Sequence, residues 1–219
     1  MEETLDRIDR LICNGTKTQH VVINASKINM MAKDKMLRQI VNSSPIINAD
    51  GQSIVWAAKF LGFSVPQRVT GIDVFERLVA LSEAKNYSIY YFGATQQIVE
   101  KVVQIHSEKY PNLKINGFRS GYFKENESID IVKEINNCKP DILIVALPSP
   151  QKEYWINRYK DKLDVLFIMG VGGSFDVIAG KVMRAPIWLQ KMGLEWLYRL
   201  IQEPRKMFKR YLIGNIIFT

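Results

Sequence analysis

The sequence predicts an α/β fold in which a mostly parallel sheet is covered by helices on both faces. Short apolar, β-branched runs recur along the chain, and stretches with helical periodicity separate them. Glycine, proline and a few polar residues follow most of the runs. Continuous apolar strands that alternate with helices are typical of parallel sheets buried on both faces. A chain of 219 residues is long enough to bury the core of such a domain.

Six runs are predicted to be strands, and the segments between them are predicted to be helices. The strands are expected at residues 20–24, 45–48, 88–92, 113–116, 142–147 and 165–169. The helices are expected at residues 26–42, 52–62, 72–85, 95–109, 127–137 and 150–160. The N-terminal residues 1–13 alternate charged and apolar side chains at helical spacing, which is not the pattern of a signal peptide.

The composition is that of a globular protein without a disulfide framework. Hydrophobic residues make up 47% of the chain and charged residues 24%, which excludes a disordered chain. The two cysteines, Cys13 and Cys138, lie outside any metal-binding spacing and indicate a reducing compartment. No apolar run approaches the ~18 residues that a spanning helix needs. The sequence therefore predicts a cytoplasmic protein, unless a surface element holds it to a membrane.

Positive charge is concentrated at the C-terminus. The chain carries a net charge of +8, and residues 181–219 contribute eight basic and only two acidic residues. Such a segment attracts the phosphates of nucleic acids, nucleotides or anionic lipids. Apolar residues alternate with these cations at helical spacing, which favours a helix on a membrane surface over one packed on its own domain. We expect a body of residues 1–193 and a basic amphipathic appendage of residues 194–219.

Candidate site residues follow the predicted strands. In parallel sheets, ligands bind at the carboxyl ends of the strands, and these ends meet at one rim. The residues at that rim are Asn24, Asp50-Gly51, 93–95, 117–123, 148–153 and 170–176.

The segment GVGGSFD follows the last strand and opens a helix. Its glycines, Gly170, Gly172 and Gly173, would let the backbone approach a diphosphate at a helix N-terminus. The pattern is not the full dinucleotide-binding fingerprint, because no acidic residue follows at the distance of a ribose ligand. A tight structural turn is the equally weighted alternative.

Asp50 lies at a strand end, just before a helix that begins near Gln52. It is a candidate general base that would remove a proton from an attacking hydroxyl. Taken from the pattern alone, an N-cap or an Asx-turn is the more common role for such an aspartate.

The sequence offers few residues for a metal site or for catalysis by histidine. His20 and His106 are the only histidines, neither has a second metal-ligating residue nearby, and His106 is predicted to lie on a helix surface. The Asp-x-Asp pair that holds a divalent metal in many nucleotide-sugar enzymes is also missing. We therefore expect a metal-independent mechanism in which arginine and lysine neutralise the diphosphate.

Seven stretches resemble the WecG/TagA/CpsF glycosyltransferases, glycosyltransferase family 26. The resemblance runs in order from about residue 20 to residue 211, and the block from RAPIW through GLEWLYRL to EPR is its most specific part. The stretches are NADGQSIVWAAKFLG, RVTGIDVFERL, IYYFGAT, GYF, PSPQKEYWI, GVGGSFDVIAGKVMRAPIW and GLEWLYRLIQEPRKMFKRY.

The resemblance implies a Rossmann-like fold and an inverting, metal-independent transfer that needs no cofactor. Members transfer an N-acetylmannosamine-type or related sugar from UDP to a polyprenyl-diphosphate-linked sugar. Their products build wall teichoic acid linkage units, enterobacterial common antigen, capsule or exopolysaccharide. The appendage is expected to bring the enzyme to the anionic inner face of the bacterial plasma membrane and to complete its active site.

The resemblance also assigns roles to individual residues. Asp50 matches the base that acts on the acceptor hydroxyl, Asn24 matches a residue of the acceptor-sugar pocket, and Arg68 matches an arginine of that pocket. The appendage cations that would face the donor and lipid diphosphates are Arg199, Arg205, Lys206, Lys209 and Arg210.

Two residues depart from the family pattern. Val22 stands where the family often has threonine, and Lys152 stands where it usually has glutamine. Both changes fall in the sugar-binding region, so N-acetylmannosamine is not assumed as the donor sugar, and a glucosyl or other hexosyl donor stays open.

An NAD-dependent enzyme and a basic nucleic-acid-binding module are the competing functions. The sequence has no nucleic-acid-binding motif, and we expect no nucleic-acid partner. A homo-oligomer is possible.

Overall fold

A computed structural model describes residues 1–65 and 67–204, and it contains a single six-stranded sheet in the described chain. Every strand pair in the sheet is parallel, and the strand order is β2-β1-β6-β5-β3-β4. This confirms the predicted α/β class and all six predicted strands. The strands are β1 Thr18–Ile23, β2 Ile46–Ala49, β3 Ser88–Gly93, β4 Lys114–Arg119, β5 Ile142–Ala146 and β6 Phe167–Gly170.

Helices connect the strands, as the periodicity predicts. The described helices are α1 Glu2–Cys13, α2 Ala25–Lys33, α3 Lys35–Asn42, α4 Gln52–Phe60, α5 Gly71–Lys85, α6 Gln96–Lys109, α7 Ser128–Cys138, α8 Gln151–Tyr159, α9 Ser174–Ile178, α10 Ile187–Lys191 and α11 Glu195–Gln202, and a 3₁₀ turn Glu125–Glu127 precedes α7.

The single helix predicted over residues 26–42 is wrong, because Asp34 divides it into α2 and α3. Asp34 adopts an extended backbone and its side chain accepts a hydrogen bond of 3.0 Å from the Leu37 N–H. An aspartate that satisfies the free N–H groups of a new helix is a strong N-cap.

The sheet separates two apolar layers. Alternate residues of one strand point to opposite faces, so Tyr91 and Ile144 join the layer under α1, α5 and α6. Tyr90 and Leu143 join the layer under α7 and α8. All residues of β3 and β5 are buried, whereas β4 at the sheet edge alternates exposed and partly buried residues. Helices therefore cover both faces, as predicted.

His106 is not a surface residue, contrary to the sequence prediction. Its side chain is fully buried, where Nδ1 hydrogen-bonds the Tyr91 hydroxyl at 2.8 Å and Nε2 hydrogen-bonds Glu76 at 2.9 Å. The hydrogen bond from His106 holds the pKa of Glu76 at about 2, against the opposing effect of partial burial. His106 thus forms part of the polar framework inside the body.

His20 is also buried, and its burial predicts a pH-dependent stability. Burial lowers the pKa of His20 to about 4, although a 2.7 Å hydrogen bond to Asn48 opposes this. The unfolded chain therefore binds the proton more readily, and stability falls as pH drops from about 6.5 towards about 4. We expect the buried His20 to lower the free energy of unfolding by about 2–3 kcal/mol when the pH falls from 7 to 4.5.

Urea unfolding of the wild type and of His20→Gln at both pH values measures this cost. Comparing the two proteins cancels the contribution of the carboxylates that titrate in the same range. Equal pH dependence in the two proteins would show that His20 is not the group responsible.

Cys13 and Cys138 are both free, in agreement with the predicted lack of a disulfide framework. In the two described ranges, no helix combines the length and the hydrophobicity needed to cross a membrane.

Candidate active site

The predicted rim residues follow four strands that are neighbours in the sheet. Asp50 follows β2, Asn24 follows β1, and residues 149–153 follow β5, while the glycine segment 170–173 begins at the last residue of β6. The carboxyl ends of adjacent parallel strands form one continuous edge. The fold therefore brings together the predicted base, the pocket asparagine, Lys152 and the glycine loop at one rim.

Backbone hydrogen bonds hold Asp50 in place. Its N–H donates to the Ile23 carbonyl at 2.7 Å, and the neighbouring Ala49 carbonyl accepts from the Val69 N–H at 2.9 Å. The N-cap of α4 is Gly51, so the interpretation of Asp50 as the helix cap is wrong. Asp50 therefore lies one residue before the cap position, at the end of β2.

Arg68 faces two carboxylates. Its Nη2 lies 3.6 Å from Asp50 Oδ1, and the same nitrogen makes a closer ion pair with Glu195, the first residue of α11. Its Nη1 lies 3.5 Å from the Gln190 carbonyl of α10. The hydrogen bond that joins Val69 to Ala49 keeps this segment beside the end of β2. Arg68 therefore lies between Asp50 and α11, which supplies its closer carboxylate partner.

A second arginine continues this network. Arg184 forms a bidentate pair with Asp73, at 2.6 and 2.8 Å, and its Nε lies 3.9 Å from Glu195. The Thr70 hydroxyl donates to Asp73 at 2.5 Å. Burial tends to raise the pKa of Asp73, but the hydrogen bonds from Arg184 and Thr70 outweigh it and lower that pKa. Negative and positive side chains therefore alternate from Asp50 to Asp73.

The sequence did not predict that Glu195, Arg184 and Asp73 belong to the site. Arg184 and Glu195 lie in the RAPIW and GLEW segments, so the resemblance marked their segments without indicating their partners. Arg68 and Glu195 are separated by 127 positions, and no local pattern pairs residues at that distance.

Asn24 is the N-cap of α2, and its side-chain oxygen accepts a 3.0 Å hydrogen bond from the Lys27 N–H. A Cβ built on Gly51 would lie 4.0 Å from the Asn24 Cβ, so the asparagine adjoins the loop that carries Asp50. The oxygen is held in the helix cap, and the amide group also carries two N–H donors for a ligand. Val22 is buried, and its Cγ2 would lie 3.2 Å from a Cβ on Gly71, which places it in packing against the start of α5.

Lys152 packs across the glycine loop. A Cβ on Gly170 would lie 3.0 Å from both Cδ and Cε of Lys152, and one on Gly172 would lie 3.5 Å from its Nζ. Gly172 also has a φ of +55°, which a residue with a side chain adopts at a cost. The Lys152 Nζ donates to the Ser149 hydroxyl at 2.9 Å. The loop glycines therefore make room for the stem of a cation.

Arg199 of α11 lies against the same loop. A Cβ on Gly173 would lie 2.7 Å from Arg199 Nη2, closer than real side-chain atoms come. Lys152 and Arg199 thus both contact the predicted diphosphate loop. A residue larger than glycine at position 173 would displace the arginine.

Behind Lys152 lies a buried ion pair that the sequence did not indicate. The Lys27 Nζ donates to Glu153 Oε1 at 2.6 Å, and both side chains are almost completely buried. Glu153 Oε1 also lies 3.3 Å from the Lys152 Nζ and accepts from the Ser149 hydroxyl at 3.0 Å. Burial tends to raise the pKa of Glu153, but the charges of Lys152 and Lys27 outweigh it and lower that pKa. Two lysines around one carboxylate leave this part of the rim net positive.

Four predicted appendage cations, Arg205, Lys206, Lys209 and Arg210, lie outside the described residues. Across residues 1–65 and 67–204, no group of three or more His, Cys, Asp and Glu side chains is arranged to hold a metal ion.

The arrangement defines a Rossmann-like α/β protein with an acid–arginine network and a cation-lined glycine loop at the strand ends. The chain belongs to the Glycosyl transferase WecG/TagA/CpsF family, whose pattern it matches over residues 1–219. The family predicted from the sequence is thereby confirmed.

Curated relatives of this chain bear the name N-acetylglucosaminyldiphosphoundecaprenol N-acetyl-beta-D-mannosaminyltransferase. One from Bacillus subtilis (strain 168) is 36% identical over 180 residues, covering 82% of this chain and 69% of the relative. One from Bacillus spizizenii is 30% identical over 167 residues, covering 76% and 64%. One from Staphylococcus aureus (strain MW2) is 26% identical over 209 residues, covering 94% and 82%. The relatives are glycosyltransferases that act on a polyprenyl-diphosphate-linked sugar.

Proposed function

We propose that this protein is an inverting glycosyltransferase that moves a sugar from UDP to a polyprenyl-diphosphate-linked sugar. The observation that carries the proposal is the position of Asp50, a partly exposed carboxylate at the strand-end rim with Arg68 beside it. The names of the relatives, which specify an N-acetylglucosaminyl-diphosphoundecaprenol acceptor, support the acceptor class.

Asp50 is the proposed general base. Its carboxylate takes the proton from an acceptor hydroxyl while the hydroxyl oxygen attacks the anomeric carbon of the donor sugar. The bond between that carbon and the phosphate oxygen breaks, and UDP leaves with the bonding electrons. Attack on the face opposite the leaving group inverts the configuration at the anomeric carbon. General-base assistance of this kind contributes roughly 10²–10⁴-fold to a rate.

Lys152 and Arg199 are proposed to neutralise the departing diphosphate. Both contact the glycine loop, where backbone N–H groups at the start of a helix add to the attraction for phosphate oxygens. The cations Arg205, Lys206, Lys209 and Arg210 would join them from the appendage of residues 194–219. Positive side chains would then do the work that a divalent metal does in other nucleotide-sugar enzymes, and no cofactor takes part.

The donor sugar is proposed to be a hexose or an N-acetylhexosamine of the N-acetylmannosamine type. The relatives' names specify N-acetylmannosamine, while Lys152 replaces a neutral amide with a cation in this chain. Because an ammonium is a point charge and an amide is a paired donor and acceptor, the two bind sugar hydroxyls differently.

We further propose that the protein works on the cytoplasmic face of the bacterial plasma membrane and contributes to a surface polysaccharide such as teichoic acid, capsule or exopolysaccharide. A lipid-linked acceptor keeps the reaction at the membrane surface, and the basic C-terminal segment would be attracted to anionic lipid. Association with a second copy would be compatible with this location, and nucleic acid is not a proposed partner.

A transfer assay tests the proposed function. Full-length protein is incubated with a short-chain polyprenyl-diphosphate N-acetylglucosamine and a panel of UDP-sugars, with and without excess EDTA. We expect one UDP-sugar to give a disaccharide product of inverted configuration, and most of the turnover to survive EDTA, because arginine and lysine balance the diphosphate charge. Restoration of a lost activity by magnesium or manganese would contradict metal independence, and absence of product with every donor would contradict the proposed function itself.

A further inference from the structure

The body carries an exposed apolar surface that the active site does not use. It includes Trp56, which is 61% exposed, and Phe60, which is 91% exposed, on α4, and Phe63, which is 68% exposed, in the segment that follows. Leu61 is exposed beside them. Large aromatic side chains of a soluble domain are normally buried, because each removes a large apolar area from water.

Helix α10 extends this surface. Ile187, Trp188 and Met192 are all exposed, and a Cβ on Gly193 would lie 3.0 Å from the Gln52 Cβ and 3.9 Å from Trp56. The residue that follows the C-cap of α10 therefore lies against α4. We name the exposed side chains of these two helices and of the turn after α4 the α4–α10 surface: Trp56, Phe60, Leu61, Phe63, Ile187, Trp188 and Met192.

Seven large apolar side chains on adjoining elements differ from the single exposed hydrophobics found on any protein surface. Contiguous patches of this kind mark contacts with a membrane, a ligand or another protein. Aromatic residues at the tip of a helix are also the side chains that settle at the boundary between lipid headgroups and acyl chains.

The position of α4 relates this surface to the catalytic rim. The helix begins at Gln52, two residues after Asp50, and ends at Phe60. At 1.5 Å per residue, Phe60 lies about 12 Å along the helix axis from its first residue. The headgroup region of one leaflet is roughly 5–8 Å thick. With Phe60 at the acyl boundary, the start of α4 would therefore lie no more than about 12 Å from that boundary, which is within or just outside the headgroup layer.

We propose that the α4–α10 surface binds the headgroup–acyl boundary of a phospholipid bilayer and thereby keeps Asp50 close to that bilayer. The inference rests on the proposed function, because a lipid-linked acceptor gives the enzyme a reason to dock in this orientation. The charge of the chain favours a bilayer over a second copy, since residues 181–219 carry eight basic and two acidic residues and two such segments repel each other. Membrane contact therefore begins in the body, and the basic appendage adds to it.

The test is vesicle co-sedimentation of the full-length chain and its Phe60→Ser/Phe63→Ser variant. Vesicles of phosphatidylcholine alone and of phosphatidylcholine with phosphatidylglycerol separate apolar insertion from attraction to anionic lipid. We expect the partition coefficient of the double variant to be about tenfold or more below that of the wild type with both vesicle types. Transfer to a short-chain, water-soluble acceptor should stay at the wild-type level, because neither phenylalanine belongs to the rim.

The matched control is Met36→Ser/Ile129→Ser, which removes two exposed apolar side chains from α3 and α7. It should bind vesicles like the wild type. Circular dichroism and thermal unfolding of all three proteins ensure that a loss of binding does not come from a loss of fold.

Two results would overturn the inference. One is unchanged vesicle binding by a folded Phe60→Ser/Phe63→Ser variant. The other is sedimentation equilibrium in which the wild type dimerises and this variant does not, with vesicle binding equal in both, which would make the surface an interface between copies. Vesicle binding is measured without any sugar donor, so a failure of the transfer assay leaves this test intact.

Discussion

Replacing Asp50 by asparagine is expected to lower kcat for sugar transfer by roughly 10²–10⁴-fold, the usual contribution of a general base. The asparagine keeps the size and the hydrogen-bonding shape of the side chain but cannot take a proton from the acceptor hydroxyl. The fold should be unaffected, because the backbone N–H of residue 50 and the carbonyl of Ala49 hold this loop. Arg68 also keeps its closer partner, Glu195, in the variant.

The measurement is single-turnover transfer with UDP-sugar and a short-chain acceptor, together with urea unfolding of each protein. Asp161→Asn, an exposed aspartate in the segment between α8 and β6, is the matched control and should match the wild type in both. The acid limb of the pH–rate profile should disappear in Asp50→Asn and persist in the control. An Asn variant that turns over at nearly the wild-type rate would remove Asp50 from the catalytic role.

The strands and their order of appearance were predictable because a buried parallel strand has a distinctive local composition. Runs such as ILIVA in β5 are apolar without alternation, and the structure buries every residue of that strand. The rim followed from the same information, because the end of each strand is also the place where a ligand binds. Asp50 and Asn24 could therefore be selected as candidates before any contact was known.

Local patterns failed where a distant residue decides the outcome. His106 lies on a helix whose own sequence is typical of a solvent-exposed helix. It is buried because Tyr91 of β3 and Glu76 of α5 contact it. The loop glycines could not be assigned to packing or to ligand binding from their spacing. The structure shows that Gly170 accommodates Lys152 and Gly173 accommodates Arg199, which are contacts between separate loops and helices.

Ending the chain after Gly193 is expected to reduce transfer by roughly 10²-fold or more, even to a water-soluble acceptor. The truncation removes Glu195 from Arg68 and Arg199 from the glycine loop. A hydrogen bond to a charged group contributes about 1.5–3 kcal/mol, which corresponds to roughly 10- to 100-fold for each of these contacts. The loss of Glu195 would also leave Arg68 paired with Asp50 alone of these two carboxylates. A tighter ion pair with Arg68 would make the Asp50 carboxylate a weaker base.

The body should remain folded after this truncation, because α11 has no fully buried residue and both apolar layers of the sheet lie outside it. Circular dichroism and thermal unfolding check this. A chain that ends after Pro204 is the matched control, since it keeps Glu195 and Arg199 and removes only residues 205–219. We expect it to transfer sugar to a soluble acceptor faster than the shorter chain does.

Glu195→Gln and Arg199→Gln in the full-length chain divide the loss between the two contacts. Removing the negative charge of Glu195 strengthens the ion pair between Arg68 and Asp50, which makes Asp50 a weaker base. Glu195→Gln should therefore lower kcat and move the acid limb of the pH–rate profile to lower pH. Arg199→Gln should reduce the rate without moving that limb, because the proposed role of Arg199 is to neutralise the diphosphate. Both variants should bind vesicles like the wild type, since one charge contributes little to a multivalent membrane contact. If the chain that ends after Gly193 transfers sugar to a soluble acceptor at the full-length rate, the C-terminal segment is an anchor only, and Glu195 and Arg199 have no part in the reaction.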